Sequence, residues 1–146
     1  MKKIIPFCGM ILIVIFGCTQ QKSNPIEGAW NLVYAQNIAG DTLVRKFPGD
    51  YTGTSIKIWS KGYVLYVGRY KMDTAYIDGY GGGPYKINGN MYEENIQYFT
   101  DQSYVGMTVK MLLEIRNDTL IQTWPVDDNG QIDKSNYRQE KRVRLD

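Results

Sequence analysis

From Glu27 onward, apolar and polar positions alternate with a period of two rather than 3.6, as half-buried β-strands require. Residues 28–35 place Trp30, Leu32 and Tyr34 on one face of a first strand. A connection over residues 37–50 holds a further short strand at 42–47. Residues 54–59 and 63–70 then read as a hairpin turned by Ser60, Lys61 and Gly62. On its second strand Tyr63, Leu65 and Val67 share one face, and Val64, Tyr66 and Tyr70 the other. A glycine cluster at 79–83 precedes a short strand at 84–87. Asn88, Gly89 and Asn90 turn the chain into a strand at 91–99, because Asn-Gly accepts the positive φ of tight hairpin turns. Residues 107–116 alternate with Met107, Val109, Met111, Leu113 and Ile115 on one face, and Asn117-Asp118 leads into 119–124. After a polar loop at 127–135, the last strand spans 136–145. There Tyr137, Val143 and Leu145 face one way, while Arg138, Glu140, Arg142 and Arg144 face the other.

No stretch of a dozen residues carries a helical apolar period, so little helix is expected. About eight strands, each followed by turn chemistry, predict an all-β domain built as a single antiparallel up-and-down β-barrel. Closure removes the exposed sheet edges. An eight-stranded barrel is just wide enough to be filled by side chains or to hold one small ligand. A two-sheet sandwich is the alternative.

The first residues follow a different pattern. Lys2 and Lys3 precede an uncharged apolar run at 4–16, shorter than the about 20 residues of a membrane-spanning helix. The run closes on Ile15-Phe16-Gly17-Cys18. This resembles the lipobox of bacterial lipoproteins, an ordinary secretory signal or an anchor helix being the alternatives. The resemblance implies a signal peptide at 1–17, a palmitate-type acyl anchor on Cys18 with a tether to residue 25, and a barrel domain at 26–146. Residues 19–23 contain no acid. Surface-exported lipoproteins usually resemble serine followed by acids there, so a periplasm-facing anchor in the outer membrane is expected.

Composition narrows the chemistry. The formal charge of +2 matches Lys2 and Lys3, so the remainder is neutral and offers no electrostatic footprint for nucleic acid. There is no histidine, and the two cysteines, Cys8 and Cys18, lie in the signal and at its end. Histidine-dependent triads, thiol nucleophiles and His/Cys zinc sites are therefore excluded from the barrel domain. Carboxylates, tyrosines and lysines remain, and the expectation is a non-enzymatic domain without cofactor or metal. Glu93 and Glu94 point to opposite faces of a strand, cannot act as a glycosidase pair, and read as solvated charge. Asp127-Asp128-Asn129-Gly130 lacks the acids of a calcium loop and reads as a turn. The glycine cluster has neither a following helix nor a phosphate-loop lysine, so flexibility or close strand approach explains it better.

Pro25-Ile26-Glu27-Gly28-Ala29-Trp30-Asn31-Leu32-Val33 resembles the opening strand of lipocalin-like domains, a Gly-x-Trp element followed by an apolar residue. With Gly81-Gly82-Gly83-Pro84-Tyr85, Asn88-Gly89-Asn90 and Met91-Tyr92-Glu93-Glu94-Asn95-Ile96, the chain is similar to small lipocalin-like lipoproteins of Bacteroidota. That resemblance implies a barrel and no particular mechanism. The expected lining for a small apolar or amphipathic ligand is Trp30, Tyr34, Tyr66 and Met111, with core packing as the alternative role. The second functional expectation is an envelope protein-interaction or inhibitor module using exposed tyrosines and the 79–85 segment. Thr42, Thr74 and Thr119 each follow aspartate and precede an apolar residue, resembling the O-glycosylation signal of that phylum. Local turn chemistry also favours Asp-Thr pairs.

Overall fold

The computed structural model describes residues 24–145. The signal segment at 1–17, Cys18 and the tether up to residue 23 lie outside the described residues. The described chain forms ten strands: β1 (Gly28–Ala39), β2 (Thr42–Phe47), β3 (Thr52–Ser60), β4 (Tyr63–Met72), β5 (Ala75–Asn88), β6 (Met91–Asn95), β7 (Tyr98–Phe99), β8 (Thr108–Arg116), β9 (Thr119–Trp124) and β10 (Asn136–Arg144). A single 3-10 turn, Gln102–Tyr104, sits between β7 and β8. All pairings are antiparallel. The path β1–β3–β4–β5–β6–β8–β9–β10 closes when β10 pairs back onto β1, while β2 flanks β1 and β7 flanks β5. An eight-stranded barrel results, and its closure rules out the sandwich.

Two-residue connections give the meander its order. They join β1 to β2, β3 to β4, β4 to β5, β5 to β6 and β8 to β9, with Asp41, Asp73, Asn117, Gly62 and Gly89 at positive φ. The right-handed strand twist favours such turns, and these residue types adopt them. The three Asp-Thr pairs fall at these hairpins. Thr42 and Thr74 are exposed, and Thr119 is half-buried.

Three expectations change. The register slips between Leu32 and Tyr34, so Trp30, Leu32 and Ala35 turn inward while Tyr34 turns out. Outside the barrel its ring lies near the ammonium groups of Lys141 and Lys46, and its hydroxyl donates to Gln36. A bulge inserts one residue into the strand and shifts every later side chain to the opposite face. The glycine cluster is no connection but the middle of the fourteen-residue β5. Finally, the strand expected at 91–99 is interrupted. Ile96 N–H bonds the Met107 carbonyl and Gln97 N–H bonds the Gly82 carbonyl, so the chain crosses from pairing with β8 to pairing with β5.

The interior is packed at one end. Ile26, Trp30, Trp59, Val64, Tyr85, Tyr92 and Leu120 form a sealed cluster there. Trp30 donates its indole N–H to the Ile26 carbonyl at 2.8 Å. The Arg144 guanidinium covers the indole at 4.3 Å and donates to the Glu27 carbonyl, which ties the chain entrance to the last strand. A smaller cluster of Leu32, Ala35, Phe47 and Tyr51 forms where β2 laps β1.

Candidate ligand cavity

Within the barrel lies a cavity of about 310 Å³. That is at the small end of the range for ligand pockets and would hold roughly ten waters at liquid density. Its apolar walls come from Ile96, Val109, Met111 and Trp124, and its rim from Phe99 and Tyr104. The rim rings pack together at 5.0 Å, and Phe99 meets Tyr66 edge-on at 5.9 Å.

Glycine makes this aromatic rim possible. Gly79 and Gly81 face inward on β5, opposite β4. A Cβ on Gly81 would stand 2.5 Å from the Tyr66 ring and 2.8 Å from the Phe99 ring. A Cβ on Gly83 would lie 1.9 Å from the Asn95 carbonyl oxygen, where β5 and the β6–β7 crossing touch. Close approach therefore accounts for the cluster, one of the two explanations expected from the sequence.

The polar lining is charged and largely buried. On β10 the side of the strand bearing Arg138, Glu140 and Arg142 points into the barrel, leaving Tyr137 and Val143 outside. Glu140 Oε1 accepts from Arg138 at 2.7 Å, and Oε2 accepts from Arg142 at 2.8 Å. Burial works against the Glu140 carboxylate, yet the two guanidinium groups outweigh it and hold its pKa down at about 2. Arg142 spends its other donors on the Ser55 carbonyl and hydroxyl, so every one of its N–H groups has an acceptor. Arg138 also donates to Asn37 and Tyr51, and its pKa is driven upward, because Glu140 more than offsets the cost of burial.

Across the barrel, Lys57 on β3 donates to Glu94 on β6 at 3.1 Å, both side chains being buried. Tyr92 donates to the same Glu94 oxygen at 3.0 Å and accepts from the Trp59 indole at 3.2 Å. Burial first, and the neighbouring Glu94 charge second, push the Tyr92 phenol far above its ordinary range. Glu94 is thus not the solvated charge expected from its sequence; Glu93, its neighbour, is. Tyr66 reaches into the cavity with its hydroxyl unbonded to any described residue, and burial keeps that phenol protonated at any physiological pH. Below the cavity, Gln122 is fully buried; its amide touches Met111 sulfur, and its carbonyl oxygen has no partner among the described residues.

Of the expected lining residues, Tyr66 and Met111 border the cavity together. Trp30 does not: it is sealed in the packed end, and Tyr34 is outside the barrel. The charged residues were missed because charge on an alternating strand ordinarily marks the solvent face. A usable signal existed in β10, whose Arg-x-Glu-x-Arg series places alternating charges at every second position. Comparison with models of known protein families finds no match, and neither does comparison with curated proteins.

Proposed function

We propose that this protein is a non-catalytic binding module whose barrel takes one small amphipathic molecule, a lipocalin-like role. The observation that carries this reading is the partly open cavity within the barrel, apolar at Ile96, Val109, Met111 and Trp124 and polar at Lys57, Glu94 and Arg138. Convergence of a few polar groups within an apolar hollow is the usual composition of a ligand site. The test is native mass spectrometry of the protein purified from its own cells, comparing wild type with Gly79→Leu. Gly79 borders the cavity, and a Cβ there meets only ordinary contacts, 3.6 Å from Tyr70 and 3.9 Å from Tyr66. Leucine would project into the hollow without forcing the backbone. A co-purifying molecule lost in the variant supports the proposal; occupancy unchanged by the leucine refutes it.

The cellular setting proposed is an acyl anchor on Cys18 in the outer membrane, facing the periplasm. Cys18→Ser should abolish incorporation of labelled palmitate, and retained label would refute the anchor.

One observation favours a second reading, docking to an envelope protein. The outer faces of β3, β4 and β5 expose Ile58, Leu65, Val67 and Tyr80, with Leu65 at 56% and Val67 at 60% of full exposure. Contiguous apolar patches of this kind mark interaction surfaces. Loss of a cross-linked partner in Val67→Asp, with ligand occupancy intact, would separate this reading from the first.

A further inference from the structure

The cavity's charges do not balance. Lys57, Arg138 and Arg142 line it with three positive charges, whereas Glu94 and Glu140 supply two negative ones. Lys57 and Glu94 cancel as a pair at 3.1 Å. The surplus therefore belongs to the β10 wall, where one carboxylate serves two guanidinium groups. Arg142 is buried and Arg138 three-quarters so, and at reduced effective dielectric an uncompensated charge is costly unless a counter-charge arrives from solvent or ligand.

The unused hydrogen-bonding capacity points the same way. Arg142 is saturated, whereas Arg138 has acceptors for four of its five N–H groups. The Tyr66 hydroxyl, also bordering the cavity, is a free neutral donor. Lys57 gives one of its three N–H groups to Glu94, and its ammonium otherwise stands 4.9 Å from the Trp59 ring centre. Unspent donors therefore outnumber unspent acceptors. The second Glu94 oxygen, the counter-example, accepts no bond from a described residue, and its charge is already matched by Lys57.

We infer that the molecule bound in this cavity is a monoanion, an amphiphile with one ionised carboxylate directed at Arg138 and Tyr66 and its apolar part against Met111, Val109 and Ile96. This rests on the cavity being a binding site at all, and the test separates the two claims. The whole chain carrying Cys18→Ser is titrated calorimetrically at neutral pH with octanoate, octan-1-ol and octylammonium, three probes of one chain length and different charge.

The expected order is octanoate tightest, by roughly tenfold or more over octan-1-ol, since charge-assisted hydrogen bonds in a largely buried site are worth about that. Octylammonium should bind weakest. Equal or tighter binding of octan-1-ol or octylammonium would overturn the anion inference while leaving the cavity reading intact. No binding by any probe would overturn both. Arg138→Gln supplies a second arm: with its β-sheet spectrum retained, it should lose the preference for octanoate over octan-1-ol. A preference undiminished in that variant counts against Arg138 as the anchor. Should the variant fail to fold, the wild-type ranking decides.

Discussion

Glu140 should hold the barrel together against two positive charges, and its removal is the sharpest test of the buried network. Glu140 is 7% exposed and Arg142 3%. Moving its pKa from an ordinary 4.5 to about 2 corresponds to about 3 kcal/mol of preference for the ionised form in the fold. Because the folded value lies below the unfolded one, this stabilisation is fully present at neutral pH. It disappears as pH falls from about 4.5 toward about 2. Glu140→Gln leaves the buried Arg142 and the half-buried Arg138 beside a neutral amide, and breaking a buried pair such as Arg142–Glu140 costs roughly 3–5 kcal/mol. For a domain of this size that lowers Tm by roughly 10–20 °C.

The assay is urea unfolding followed by tryptophan fluorescence across a pH series, Trp30 and Trp59 being sealed in the core. Wild type should lose stability through the acid limb with a slope approaching about 1.4 kcal/mol per pH unit from this one proton; Glu140→Gln should lack that component. The apolar triple variant R138M/E140L/R142M should recover most of the loss, because well-packed hydrophobic replacements of buried ion networks are commonly neutral or stabilising. A Glu140→Gln variant within about 1 kcal/mol of wild type, or one with an unchanged acid limb, would refute the reasoning. It would mean that water already screens the triad.

Further expectations concern packing. Gly83→Ala should lower stability by well over about 2 kcal/mol in the same urea assay, because the new methyl meets the Asn95 carbonyl at 1.9 Å and backbone must move. Gly79→Leu should leave the midpoint within about 1 kcal/mol. Tyr92→Phe removes the acceptor for the Trp59 indole and one donor to Glu94, so a loss of about 1–3 kcal/mol is expected from thermal unfolding. Gln122→Met should be neutral or stabilising by up to about 1 kcal/mol, since the buried amide oxygen there has no partner among the described residues. A clear loss would reveal a partner, such as an ordered water.

Where alternation is clean and turns are short, the fold was legible. The strand at 119–124 matches β9 to the residue, and 63–70 and 107–116 match β4 and β8 within two residues. Local sequence could not show the bulge after Leu32, because nothing in a Trp-x-Leu-x-Tyr series marks the residue that will be left unpaired. The site was half legible for a related reason. Tyr66 and Met111 followed from facing positions on ordinary strands. Arg138, Glu140 and Arg142 required knowing which side of β10 faces inward, and a period of two fixes faces without saying which is the inner one. The usual tie-breaker, apolar inward, selects Tyr137 and Val143 and fails here.

That failure is itself informative about the interior. A barrel intended only to be filled would gain from leucines at the three β10 positions, since burying ions without relief seldom adds stability. This barrel does use apolar filling at its closed end, where Trp30, Trp59, Val64 and Leu120 pack in one buried cluster. The change from one chemistry to the other occurs along single strands: Trp59 to Lys57 on β3, Tyr92 to Glu94 on β6 and Leu120 to Gln122 on β9. These three inward series are apolar near the chain entrance and turn polar further along, whereas β8 stays apolar with Val109 and Met111, so the cavity has both charged and apolar walls. Charged and apolar walls facing each other above a sealed apolar floor make an amphipathic hollow, and its volume is left open by glycine on β5. Small residues facing large aromatic ones would be poor economy in a core whose purpose was packing. They are what a barrel needs if its middle must admit a guest with both an apolar body and a charged end.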